Sequence, residues 1–297
     1  MREKEKTVRM FRVDKYGTTP VTDKDIPRLE KIGGDNTTFI RVLNFSDVER
    51  SMRFNPIQKR YLPRLQDCQA LADNLVYSGL NWGKTEDARN NFFFRAASNF
   101  LAATIHFFVN YKENKHSGKS ITYSDFPHMI AFLNHDYYDI FEVLRTDHEI
   151  YPLLAPFITA YDNKAMEQLE GMFGTLRVQL ARMATRESFW ILGLGNDDFR
   201  LYDDFRTDYV TIVTDNRHDP IGKMYASLVL NTDEIPEGTE LNTNNRTVRR
   251  ILEYKRFSFP SEESRERILW ENYQTINENA DMMIRKFINP RTSTKRQ

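Results

Sequence analysis

The chain has no excess of either charge and almost no cysteine. Its 297 residues include 42 Lys and Arg against 42 Asp and Glu, so the formal net charge at pH 7 is zero. This balance argues against a polybasic nucleic-acid-binding arm or an acidic tail, although it leaves room for a local basic face. Cys68 has no second cysteine to pair with, which predicts a reducing compartment. Its apolar helical context predicts a buried thiol rather than a reactive one.

Long apolar runs are missing as well. No stretch of 18 apolar residues occurs, and the most apolar segment, Phe92–Val109, is interrupted by Arg95, Asn99 and His106. This segment is better explained as a buried helix than as a membrane span. The charged residues Met1–Lys6 are followed by no apolar region, so no secretory signal is expected. These features predict a cytoplasmic protein without a transmembrane segment.

The hydrophobic and aromatic content of the chain is typical of a folded protein. Hydrophobic residues make up 40% of the chain and aromatic residues 13%, including 21 Phe and 14 Tyr. Disordered chains are poor in such residues, so we expect a substantial core. The length suggests one large domain or two modest ones.

Helical periodicity dominates the region from position 62 to position 190. Apolar residues recur there at steps of three or four, the spacing of one helix face. Asp125 with Pro127 two positions later predicts a helix start. In a helix predicted over about 87–110, the residues expected to point inward are Phe93, Ala97, Phe100, Leu101, Ile105 and Phe108. A long helix is predicted over about 163–185.

Strand patterns flank this helical region. Phe39–Phe45 and Tyr209–Val213 are rich in branched and aromatic residues and predict β-strands. The predicted fold class is therefore mainly α, an all-α domain flanked by a few β-strands. The predicted organisation is an N-terminal segment, a strand with its connector, the all-α domain, a return to mixed α/β structure, a linker, and a C-terminal helix with a basic tail: 1–36, 37–61, 62–190, 191–230, 231–259 and 260–297.

The last of these segments carries a narrow apolar seam. Pro260 and Ser261 open a helix whose first turn is acidic, and apolar residues then alternate steps of four and three. They are Leu269, Tyr273, Ile276, Ala280, Met283 and Phe287. Packing against the chain's own body is favoured over a two-stranded coiled coil.

Two sequence features imitate parts of a nucleotide site. The segment Gly79–Thr85 ends in Gly83, Lys84 and Thr85, but it is one residue shorter than a phosphate loop and it follows a predicted helix instead of a strand. Asp233 and Glu234 follow an apolar run, as do the acidic residues at the end of the magnesium-binding strand of an ATPase. Such residues act only together with a phosphate loop, and no complete phosphate loop is found. Ordinary loops are the favoured interpretation, so ATP and Mg²⁺ are expected only if the chain is an ATPase.

No catalytic or metal constellation stands out. The six histidines form neither a HExxH motif nor a Cys/His cluster, so no metal and no cofactor are predicted. Arginines on two segments are candidates for contact with DNA or a protein partner. A solvated or ion-paired face is the favoured alternative for both groups. The candidates are Arg177, Arg182 and Arg186, predicted to share the end of the long helix, and Arg249 and Arg250 after the linker.

Three stretches in order resemble the TraG/TraD-type coupling proteins of conjugative type IV secretion, and most closely those of Bacteroidetes mobilisation systems. The stretch Phe39–Pro56 resembles the part of the family that leads into its helical insertion. Further matches are Leu154–Trp190, including Ala165–Gly171, and Gly195–Leu201. The resemblance covers about residues 37–230, and the final helix is similar to the family's C-terminal tail.

The resemblance implies a RecA-like remnant around an all-α insertion domain. The family is a hexameric DNA-translocating motor that links the relaxosome to the secretion channel. The phosphate loop expected before residue 37 is missing, as are the transmembrane helices. The leading expectation is thus a non-catalytic cytoplasmic module of DNA transfer on a mobile element. It would bind a relaxosome protein (relaxase or accessory factor), a full-length coupling protein or DNA, and it could be held at the inner membrane by its partner. The alternative is a DNA-translocating ATPase with a divergent nucleotide site.

Overall fold

The computed structural model describes residues 7–14, 17–33, 40–45, 47–79, 92–111, 113–114, 120–121, 123–193, 210–215, 224–225, 227–229 and 241–288. These residues are mainly helical, as predicted. Their α-helices are α1 (Ile26–Gly33), α2 (Leu65–Gly79), α3 (Phe92–Asn110), α4 (Phe126–Leu133), α5 (Tyr137–Leu144), α6 (Tyr151–Asp162), α7 (Met166–Ala181), α8 (Arg186–Leu192), α9 (Arg246–Glu253) and α10 (Glu262–Phe287). Short 3₁₀ turns occur at Asp23–Asp25 and Val48–Arg50.

The strands form one small mixed sheet and a separate hairpin. They are β1 (Thr7–Asp14), β2 (Gly17–Pro20), β3 (Ile40–Leu43), β4 (Glu113–Asn114), β5 (Ser120–Ile121), β6 (Val210–Asp215) and β7 (Leu241–Asn242). The sheet has the order β2-β1-β6-β3, and β7 pairs with β1. The hairpin joins β4 and β5.

Both predicted strands are confirmed as β3 and β6, and they pair in parallel with Ile40 opposite Val210. Parallel neighbours need a long crossover, and here the chain between them contains the helices α2 to α8. The helical region is therefore an insertion between two adjacent strands. Sequence reasoning treated 1–36 as a charged, mixed segment and missed β1, β2 and α1. β1 has charged residues at three of its eight positions. Its partner β6 lies about 200 residues away, as the pairing of Phe11 with Val213 shows.

Helix α3 is the centre of the helical unit. Most of its side chains are buried, from Phe94 to Val109, and it packs mainly against α2 and α7. One helix among the described residues, this one, is long and apolar enough to cross a membrane, and 78% of its most apolar window is buried inside the protein. The prediction of a buried helix is thus confirmed. The prediction that Phe93 points inward is wrong, because its ring lies near the start of α3 and is 46% exposed.

Helix boundaries follow the capping residues. Asp125 caps α4 by accepting a hydrogen bond from the His128 backbone N–H, and Pro127 lies in the first turn, as predicted. The long helix is shorter than predicted and ends at Ala181. Thr185 instead caps a new helix, since its hydroxyl accepts from the N–H of Ser188. A side chain that satisfies free N–H groups favours a fresh helix start over continuation of the previous helix.

The C-terminal helix packs on the chain's own body. Leu269, Ile276, Ala280 and Met283 are buried in the main core, and α10 contacts α4, α8 and α5. This arrangement confirms the seam predicted from the sequence. The N-cap is Ser261, which accepts a hydrogen bond from the Ser264 N–H.

The predicted linker 231–259 contains a helix. Asn245 caps α9 through bonds from the N–H groups of Thr247 and Val248. Val248 and Ile251 are buried in a second, smaller core beneath the sheet. Arginines occupy the intervening positions and gave the segment a polar appearance in the sequence. This second core also contains Met10, Val21, Ile26, Leu29, Ile40, Val42 and Leu241.

Candidate interaction surface

Five aromatic side chains on α8, α10 and the strap 254–259 form two groups of contacting rings. We call the two groups together the aromatic surface; they are Trp190 with Phe257 and Phe259, and Trp270 with Tyr273. Trp190 lies 5.4 Å from Phe257 and 5.8 Å from Phe259 between ring centroids, and Trp270 stacks on Tyr273 at 6.0 Å. Trp270 and Phe257 remain 42% and 41% exposed, so part of this apolar area faces solvent.

The position of Trp190 is fixed by the end of α8. Arg53 lies over the indole with its Cζ 4.4 Å from the ring centroid, and its Nε donates a 2.8 Å hydrogen bond to the Trp190 carbonyl. Phe54 adds a backbone bond to the Ile191 carbonyl. A Cβ atom on Gly193 would lie 2.6 Å from the Phe189 carbonyl oxygen, so this close approach requires glycine. The 3₁₀ turn region and α8 are therefore held together around the indole.

A cationic side chain also lies over the ring of Trp270. The guanidinium of Arg186 lies 4.7 Å above the indole, and its Nη1 is 3.2 Å from Oε2 of Glu266. Glu266 is one turn before Trp270 on α10, so the three groups form a stacked set across two helices. A cation over an indole contributes about 0.5–1 kcal/mol at an exposed site. The set is preorganised, because stacking and ion pairing restrict the arginine before any partner arrives.

The strap 254–259 is anchored on the 3₁₀ turn at Glu49. The backbone N–H groups of Arg256 and Phe257 both donate to the Glu49 carbonyl, and Lys255 Nζ is 2.6 Å from Oε2 of Glu49. That hydrogen bond holds the pKa of the Glu49 carboxyl below its usual value. The strap thereby carries Phe257 to a fixed place beside Trp190.

Arg256 also anchors this strap, through hydrogen bonds from its side chain to backbone carbonyls. Its guanidinium donates to the carbonyls of Arg50 and Tyr254, at 3.0 and 2.9 Å. Burial lowers the pKa of Arg256 to about 10, so the side chain stays charged at neutral pH. Arg256 thus joins two backbone segments. The arginines that lie over rings of the aromatic surface are Arg53 and Arg186.

The predicted arginines fall at separate places. Arg177 is half-buried, donates to the His135 carbonyl at 3.0 Å and covers the ring of Tyr137. Arg182 follows the end of α7 and is exposed, while Arg186 begins α8. The prediction that the three share one helix end is wrong, because the long helix stops at Ala181.

Arg249 and Arg250 lie on α9, which packs on α1 and β3. Arg249 Nη2 donates to Oδ1 of Asn244 at 3.2 Å. The Nε and Nη2 atoms of Arg250 are buried and have no hydrogen-bond partner among the described residues. Of the five predicted arginines, the structure therefore brings one, Arg186, to the aromatic surface.

The residues of the nucleotide alternative, Gly83, Lys84, Thr85, Asp233 and Glu234, lie outside the described residues. The helix predicted before Gly79 is confirmed as α2. A phosphate loop joins a strand to a helix, so a preceding helix counts against this alternative.

Other titratable groups are engaged within the core. His128 Nδ1 is 2.7 Å from Oδ1 of the buried Asp125, and its Nε2 is 3.3 Å from Nδ2 of Asn279. Cys68 is buried, as predicted, and burial raises its pKa to about 12. Within the described ranges, no three His, Cys, Asp or Glu side chains are grouped to hold a metal ion.

Comparison with protein-family models, with curated proteins and with solved structures finds no significant match to this chain.

Sequence reasoning missed the aromatic surface, although one signal was available. Trp270 directly follows Leu269, the first residue of the apolar seam, and therefore falls on the polar side of an amphipathic helix. A tryptophan at such a position is a candidate for contact with another molecule. The other members of the surface come from distant segments and are united only by folding.

Proposed function

We propose that this chain is a non-catalytic binding module related to the conjugative coupling proteins that it resembles. In this proposal it acts in the cytoplasm during DNA transfer and binds a relaxosome protein, the relaxase or an accessory factor, through the aromatic surface. The proposal rests on the contacts that join Trp270, Arg186 and Glu266. Exposed tryptophan and arginine are the residue types that most often dominate the energy of protein interfaces.

The charges of this surface favour a protein partner over DNA. Arg186 is paired with Glu266, and Arg265 lies 2.7 Å from Oε1 of Glu262. Binding to DNA draws its affinity from cations that are available to neutralise phosphates. Cations with carboxylate partners beside aromatic rings suit the mixed polar rim and aromatic centre of a protein interface.

Substitution of Trp270 by alanine tests the proposal. The side chain is half exposed, so the variant is expected to fold, and loss of a central tryptophan should weaken binding by about 2 kcal/mol, roughly 30-fold. The measurement is the Kd for purified relaxase and accessory protein of the same mobile element, by biolayer interferometry. Tyr151→Ala is the matched control, since that ring is 48% exposed on α6.

Three results would contradict the proposal. One is equal affinity of the Trp270 and Tyr151 variants for a protein that binds the wild-type chain. Another is the absence of binding to both relaxosome proteins. A third is binding of a single-stranded oligonucleotide that depends on Trp270, which would assign the surface to DNA. Titration with ATP and Mg²⁺ by calorimetry should give no saturable heat, whereas heat that disappears with Lys84→Ala would favour the ATPase alternative.

A further inference from the structure

The buried histidine of α3, His106, faces two carboxylates through its two ring nitrogens. Its side chain is 5% exposed, Nδ1 is 3.4 Å from Oδ2 of Asp147, and Nε2 is 3.4 Å from Oε2 of Glu149. Both acids lie on the turn 146–150, which joins α5 to α6. A neutral imidazole has one N–H group and can donate to one of these carboxylates, whereas an imidazolium can donate to both.

A second group competes with Glu149 for Nε2 of His106. The amide Nδ2 of Asn110, one turn further along α3, lies 3.2 Å from Nε2 and also donates a 2.9 Å hydrogen bond to the His106 carbonyl. The Oδ1 atom of Asn110 accepts a hydrogen bond from Nζ of Lys59. Because an ammonium group can only donate, this bond fixes which side of the amide carries the N–H groups. Nε2 therefore meets an N–H donor on one side and a carboxylate on the other.

A proton on Nε2 decides between these two partners. Without it, the Nε2 lone pair accepts from the Asn110 amide, and the Nδ1–H group is directed to Asp147. With it, Nε2 is itself a donor, so it no longer suits the Asn110 amide and pairs with the Glu149 carboxylate. Histidine side chains change charge between about pH 5 and 8, so this exchange of partners can be followed near neutral pH.

The charges around the ring come from three segments. Asp147 and Glu149 belong to the turn, Lys59 precedes α2, and Cys68 of α2 lies within electrostatic reach of Lys59 and Glu149. Burial raises the pKa of the Cys68 thiol to about 12, so this group is neutral. Two carboxylates therefore stand against one ammonium, which is exposed. They can compensate the charge of a buried imidazolium.

The turn that carries Glu149 leads directly into α6. The N-cap residue of α6 is Ile150, which is buried and has no side-chain oxygen to accept from the free N–H groups of the first turn. A helix start without such a cap is less stable and depends more on neighbouring contacts. A bond from His106 to Glu149 supplies a contact one residue before this start.

We propose that His106 is a proton-operated switch for the turn between α5 and α6. The protonated ring pairs with both Asp147 and Glu149 and fastens the turn to the end of α3. The neutral ring keeps Asp147 and takes Asn110 as its second partner, so Glu149 is released to solvent and the start of α6 loosens. The turn is therefore held most firmly near pH 6, where the carboxylates are still ionised, and less firmly as His106 loses its proton.

Amide hydrogen exchange of the full chain at pH 6.0 and pH 8.0 tests the proposal. The exchange is followed by mass spectrometry and corrected for its intrinsic dependence on pH. In the wild type we expect peptides that cover 146–153 to be at least about fivefold more protected at pH 6.0. His106→Gln should abolish this difference. His148→Gln is the matched control, because His148 is exposed on the same turn, and it should retain the difference.

A variant on the turn tests the mechanism without a change to the buried ring. Glu149→Gln removes the carboxylate that the protonated ring recruits, so it should also abolish the difference. The Glu149 side chain is 64% exposed, so this variant is expected to fold even if the His106 variant does not, and circular dichroism checks both. Equal protection of the wild type at the two pH values would overturn the proposal. So would a difference that survives Glu149→Gln or disappears with His148→Gln.

Discussion

At the scale of single residues, the burial of Cys68 makes the stability of the fold depend on pH. The thiol lies on α2 and is fully buried, and desolvation disfavours the thiolate. The resulting pKa of about 12 lies above the usual value near 8.5 in an unfolded chain. A raised pKa in the folded state gives stability that is complete below the unfolded pKa and is lost as the pH rises toward 12.

We therefore expect the free energy of unfolding to fall with alkaline pH in a way that depends on Cys68. Between pH 9 and pH 10.5 the wild type should lose about 1.4 kcal/mol per pH unit more than Cys68→Ala. Urea unfolding at several pH values measures both slopes. The comparison cancels the titration of tyrosines and lysines, which the two proteins share, so equal slopes would show that the thiol ionises in the folded protein.

At the scale of elements, α10 is the last described helix along the chain, and its buried side chains belong to the main core. Its seam residues contact α4, α8 and α5, and Tyr273 of the seam also stacks on Trp270 at the aromatic surface. The same helix thus provides buried side chains to the core and the proposed binding residue, Trp270, which is 42% exposed. Ile276 is buried and is not a member of the aromatic surface, so its contribution to stability can be measured apart from the contribution of Trp270 to binding.

Truncation of one seam residue separates these roles. Ile276→Ala removes a buried side chain and leaves a cavity, so it should cost about 2–5 kcal/mol of unfolding free energy. Gln274→Ala, at an exposed position two residues earlier, should change stability by less than about 0.5 kcal/mol. Denaturant unfolding measures both values. A small effect of the Ile276 variant would mean that α10 is not packed on the body in solution.

At the scale of the whole molecule, the described residues form two cores of very different size that share the strand β3. Leu43 belongs to the main core, whereas Ile40 and Val42 belong to the smaller core under the sheet. A core with few buried side chains gains less from burial, so the sheet unit should open at lower free energy than the helical unit. Arg256 and the strap provide the polar connection between them.

Hydrogen exchange in the native state tests this division. Ile251→Ala should lower the protection of β1 and β6 by about 2 kcal/mol or more, while the amides of α3 keep their protection. Backbone amide exchange followed by mass spectrometry resolves the two units. An equal loss of protection in α3 would show that the two cores unfold as one.

The sequence alone determined much of the local structure. Periodicity placed α2, α3 and α10, and capping chemistry placed the start of α4, because these signals reside in neighbouring residues. The parallel strands β3 and β6 were also visible in their composition. By contrast, the N-terminal strands and α9 were missed, because their stability comes from partners far away in the chain.

Only the tertiary structure decided which residues meet. Trp190, Phe257 and Trp270 come from three segments, and Arg186 reaches one of their rings because α8 lies beside α10. Spacing grouped Arg177 with Arg186, whereas folding placed the first over Tyr137 and the second over Trp270. Sequence determines the hydrogen bonds and periodicity within an element, and contacts between elements depend on how their apolar faces pack together. For this reason the helices could be predicted, but the aromatic surface could not.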